Sequence, residues 1–93
     1  MDRMMERLRM LIVDDNPHMI HVTKTILRGF GAKEFHEALT AEDAFALVKT
    51  MSFDLIITDY PMAPVDGCEF TKKLRTSPDS PNHFVPVIML TAY

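Results

Sequence analysis

Two uninterrupted apolar runs that each close on a carboxylate constrain this chain most: Met10-Leu11-Ile12-Val13 leads into Asp14-Asp15, and Leu55-Ile56-Ile57-Thr58 leads into Asp59. A strand with no polar alternation is covered on both faces, which is the condition of a strand inside a parallel sheet. Helical patterns fill the intervals. Pro17 suits a first helical turn, Met19, Val22, Thr23, Ile26, Leu27 and Phe30 recur at helical spacing, and Gly29 and Gly31 supply a stop. Residues 33–38 form a weaker strand candidate. Thr40, with Asp43 three positions on, resembles a capping box opening a second helix whose apolar face is Ala44, Leu47, Val48 and Met51. A third helix fits Gly67 to Arg75 with Phe70, Thr71 and Leu74 inward, and residues 84–90 make a fourth strand with Pro86 near its start. Strands alternating with helices at this rhythm form βαβ units, hence one α/β domain with a mostly parallel sheet and helices on both faces.

Composition narrows the function. With 93 residues the chain is one small domain, and a net charge of −3 without a basic block argues against direct nucleic-acid binding. No apolar run reaches the roughly 18 residues of a membrane span, and the opening residues lack the apolar stretch of a signal peptide, so the expected location is cytoplasmic. Cys68 stands alone, which excludes an internal disulfide or a cysteine-rich zinc site, and it reads as a packing residue. His18, His21, His36 and His83 offer one i,i+3 pair and no zinc-protease spacing, so surface or structural roles fit them better.

In parallel α/β sheets the functional site lies outside the carboxyl ends of the strands. That rule brings Asp14, Asp15, Asp59 and Thr91 to one rim. Each has an ordinary explanation alone, since Asp favours turns and Thr favours strands. Three carboxylates together repel one another by several kcal/mol at an effective dielectric of about 20, so a cation belongs among them. A small hard ion with oxygen ligands, Mg²⁺, is the natural choice.

The ordered set of Asp14-Asp15, Asp59, Met62, Asp66-Gly67 and Thr91-Ala92 resembles the receiver domain of two-component response regulators, the CheY-like family, over essentially residues 1–93. The resemblance implies a doubly wound, three-layer αβα sheet of strand order 2-1-3-4, with the family's fifth strand absent. It implies that Asp59 is the phosphoacceptor, taking its phosphoryl group from a sensor histidine kinase or a histidine phosphotransfer protein. It further implies that Asp14, Asp15, Asp59 and the backbone carbonyl of Pro61 hold Mg²⁺, and that Thr91 binds the phosphoryl oxygens and switches the following loop. Beyond self-catalysed phosphorylation and dephosphorylation, no enzyme activity is expected.

Two departures from the family pattern stand out. Ala63 replaces the usual proline four residues after the phosphorylated aspartate, with prolines instead at Pro61 and Pro64. The chain also stops at Tyr93, ahead of the family's fourth helix, fifth strand and fifth helix, so the lysine carried after that strand has no counterpart; Lys24, Lys33, Lys49, Lys72 and Lys73 fall elsewhere. Strand four then presents an apolar edge, from which a homodimer or an element swap is expected unless the chain is part of a longer one. The alternative function is a degenerate receiver serving only dimerisation or docking. A haloacid-dehalogenase-type phosphatase wants Asp-x-Asp after its first strand, where this chain has adjacent aspartates, and a nucleotide-binding loop lacks its glycines.

Overall fold

The computed structural model describes residues 4–59, 67–76, 81–82 and 84–90. Its elements are α1 (Met4–Arg7), β1 (Arg9–Val13), α2 (Pro17–Gly29), β2 (Glu34–Ala38), α3 (Ala41–Thr50), β3 (Leu55–Asp59), α4 (Gly67–Thr76) and β4 (Val87–Leu90). The strands form a single sheet in the order β2-β1-β3-β4, and every neighbouring pair is parallel. This is the expected flavodoxin-like αβα arrangement. The short opening helix α1 was not anticipated from the sequence.

Strand alternation divides the core between the two faces. On one, Leu11, Val13 and Ile56 pack with Ala44 and Val48 of α3 and with Phe70 and Leu74 of α4. Phe70 and Leu74 are fully buried, as their helical spacing predicts, whereas Thr71 is only half-buried. On the other face, α2 is the only one of the three longer helices, and it covers the sheet incompletely. Ile20 is its one fully buried side chain, while Met19, Ile26 and Phe30 remain exposed. The apolar stripe read from the sequence is therefore offset from the buried line. Ile26 instead joins Thr23, Leu27, Ile57, Ile88 and Leu90 around an open apolar groove over β3 and β4.

Local chemistry sets the element ends. α2 stops where Gly31 takes a positive φ of 102°, a conformation that strains any residue with a Cβ, and the amides of Phe30, Gly31 and Ala32 close the last turn on Leu27 and Arg28 carbonyls. Thr40 caps α3, its hydroxyl accepting from the Asp43 N–H at 3.0 Å. β4 is shorter than the expected span of residues 84–90. Pro86 has no N–H, so its contribution to the ladder is its carbonyl, which accepts from Ile56.

A buried asparagine secures the end of the sheet remote from the carboxyl rim. Asn82 accepts from the Phe53 N–H at 2.5 Å and donates through Nδ2 to the carbonyls of Val48 (2.8 Å) and Met51 (2.6 Å). It thereby ties the approach to β4 to the α3–β3 turn. Nearby, Arg9 on β1 donates to Glu34 on β2 at 2.6 Å and to the Ser52 carbonyl at 3.3 Å. His36 and Arg9 together hold the Glu34 carboxyl below its ordinary range.

Candidate functional site

The carboxyl rim is built by strand register. Val13 pairs with Thr58, so the next step along the two strands sets Asp14 beside Asp59. The Asp14 N–H donates to the Ala38 carbonyl at 3.0 Å, which fixes the turn after β1 to the end of β2. One carboxylate oxygen from each of Asp14, Asp15 and Asp59 lies within 4.8 Å of the others. Asp14 is buried, Asp59 half-buried and Asp15 exposed, so the cluster has a closed floor and an open mouth.

Its electrostatics follow from that placement. Burial pushes the Asp14 carboxyl above its ordinary pKa; the Asn16 N–H bond opposes the shift, and the charge and proximity of Asp15 add to it. A buried carboxylate facing a second one is short of positive charge, and three oxygen donors at this spacing suit a hard divalent cation. The donor set thus fits the ion class expected from the sequence.

Asn16 is the residue that sequence reasoning passed over. Its N–H donates to Asp14 Oδ1 at 2.9 Å, while its own Oδ1 accepts from the His18 N–H at 2.9 Å as the N-cap of α2. The signal was available, because asparagine directly before proline at a helix start is an N-cap followed by N1. Pro61, expected to offer its carbonyl, and Thr91, expected as the switch hydroxyl, lie outside the described residues, as do Met62, Asp66 and His83. Among the described lysines, Lys24 pairs with Glu37, Lys33 with Glu6 at 3.7 Å, and Lys73 stands over the Phe45 ring.

A parallel αβα sheet with three carboxylates at the rim of its first and third strands defines the CheY-like receiver class. Residues 10–93 match the response regulator receiver domain, and the chain belongs to that family. It is 32% identical over 87 residues to the chemotaxis protein CheY-3 of Vibrio cholerae, covering 94% of this chain and 65% of that protein. Among solved structures, the N-terminal domain of a response regulator receiver protein from Methanoculleus marisnigri superposes with a TM-score of 0.83 at 31% identity, covering 94% of this chain and 68% of that one. The chemotaxis response regulator CheY4 of Vibrio cholerae gives a TM-score of 0.80 at 30% identity, covering 92% and 69%. The chain thus spans about two thirds of the length of these relatives. No helix among the described residues is long and apolar enough to cross a membrane.

Proposed function

We propose that this chain receives a phosphoryl group on Asp59 from a phosphohistidine on a sensor histidine kinase or a histidine phosphotransfer protein. Asp14, Asp15, Asp59 and the Pro61 carbonyl would hold Mg²⁺, and the Thr91 hydroxyl would read the phosphoryl group. The convergence of three carboxylate oxygens within 4.8 Å on a receiver fold carries this reading.

An Asp59 oxygen attacks phosphorus in line, the P–N bond to the donor imidazole breaks, and the ring nitrogen keeps the electron pair and takes up a proton. Phosphoryl transfer asks little more of a protein than position and charge balance. When bound to these residues, a divalent cation would supply that charge balance against the carboxylates and the phosphoryl oxygens. Half-burial of Asp59 limits the directions from which a donor can approach. The Thr91 hydroxyl donates to a phosphoryl oxygen and draws the end of β4 and its following loop toward the site, a small contact biasing a two-state element. The chain acts as acceptor and switch, with at most self-catalysed gain and loss of the phosphoryl group.

The test is incubation with a small acyl phosphate and Mg²⁺, read by intact-protein mass. The wild type gains one phosphoryl group and Asp59→Asn gains none. Failure of the wild type to gain mass favours the second reading, a receiver fold used only for docking or dimerisation. For that reading the relevant surface is β4, the outer strand of the described sheet, whose Ile88 and Leu90 are exposed at 48% and 38% on the groove face, so that a homodimer or element swap along this strand would also cover apolar surface.

A further inference from the structure

Four hydrogen bonds meet at Asn16, and they run in two directions. Toward the rim, its N–H donates to Oδ1 of the buried Asp14 at 2.9 Å. Toward α2, its side-chain oxygen accepts from His18, and its carbonyl accepts from the N–H groups of Met19 (3.1 Å) and Ile20 (3.2 Å). Pro17 has no N–H, so these contacts absorb every backbone donor from 18 to 20 at the helix start. Asn16 itself is extended, with φ −106° and ψ 107°. The side-chain cap stabilises that conformation, which in turn aims the N–H at Asp14. Ile20, buried against the sheet, anchors the far side of the same turn.

We propose that Asn16 is a positioning residue for the cation site, coupling the start of α2 to the orientation of the Asp14 carboxylate. This rests on the metal reading given above. With Oδ1 engaged by the Asn16 N–H, rotation of the Asp14 carboxylate is restricted, and its remaining lone pairs would be presented to a cation in one fixed orientation. The carboxylate then does not have to reorient when the ion arrives. Loss of the cap leaves the Asn16 backbone held by its carbonyl bonds to Met19 and Ile20 alone, so the N–H is less firmly aimed at Asp14. Partners that orient ligands in this way typically change metal affinity by about 10- to 100-fold, and a side chain acting through one intervening bond belongs at about the lower end of that range.

The experiment compares wild type, Asn16→Ala, Asn16→Ser and Asp14→Asn. Serine is as good an N-cap as asparagine, whereas alanine has no acceptor. Mg²⁺ binding is followed by calorimetry, and exchange of the residue-16 amide proton is followed by NMR without metal. Asn16→Ala should weaken Mg²⁺ about tenfold and speed exchange of that amide while far-UV circular dichroism stays unchanged; Asn16→Ser should bind within about twofold of wild type. Mg²⁺ binding by Asn16→Ala within twofold of wild type overturns the proposal, and so does equal weakening in the alanine and serine variants. If the wild type itself binds no Mg²⁺, or Asp14→Asn binds as well as wild type, the metal reading fails and takes this inference with it. That pattern is distinct from one in which only the Asn16 variants behave unexpectedly.

Discussion

Replacing Asn82 with alanine should be among the most damaging single changes in this fold, although the residue is polar and lies outside any helix or strand. The side chain is 1% exposed and takes part in three hydrogen bonds to backbone groups 29, 31 and 34 residues away in sequence. A net contribution of about 1 kcal/mol per bond, before any penalty for a buried N–H left without this acceptor at Phe53, gives a loss of at least about 3 kcal/mol. A domain of 93 residues has about 5–14 kcal/mol in total, so the variant keeps little reserve. At about 4–8 °C per kcal/mol, a loss of about 3 kcal/mol lowers Tm by about 12–24 °C. Asn82→Asp should be worse than alanine at neutral pH, because it sets a carboxylate against two carbonyl oxygens where the amide donated. Urea unfolding followed by circular dichroism measures both. A loss below about 1 kcal/mol for Asn82→Ala, with the urea slope unchanged, refutes the reasoning, as does an aspartate variant more stable than the alanine one.

Two further outcomes follow from the site and the sheet edge. Because the folded state raises the Asp14 pKa, that group's contribution to stability falls as pH rises through its folded value. Metal-free protein should therefore gain stability at neutral pH from Asp14→Asn, which removes first the burial cost of the charge and then the repulsion of Asp15, while losing its stabilisation by Mg²⁺; thermal melts with and without Mg²⁺ decide it, and a destabilised Asp14→Asn sinks the idea. If a second copy pairs along β4 and covers the adjoining apolar groove, light scattering should report a dimer that Ile88→Lys returns to monomer; a wild type monomeric at all accessible concentrations refutes this.

The strands and their carboxylates were legible because a two-sided apolar run has few other homes. Met10–Val13 and Leu55–Thr58 became adjacent parallel strands, and their register brought Asp14 to Asp59 as the rim rule expects. Capping by Thr40 and the stop at Gly31 were also readable, since each rests on chemistry local to a few residues. What periodicity did not provide was the side of α2 that faces the sheet. Ile26 and Phe30 share helical spacing with residues that do pack, yet whether they are covered depends on what lies opposite them in space. Asn82 was hidden for the same reason. Its partners are distant in sequence, and within a stretch rich in proline and serine an asparagine reads as a turn residue.

The unequal cover of the two sheet faces also shapes how the folded state responds to temperature. Ile26, Ile88 and Leu90 are in contact with water while the protein is folded, so unfolding adds less new apolar hydration than their residue types would suggest. Since newly hydrated apolar surface is the main positive contribution to the heat-capacity increment, this half-covered face flattens the dependence of stability on temperature. Any occupant of the groove over β3 and β4, whether a second copy or further chain, would take that water away. It would then register as a steeper stability curve as well as a higher melting point.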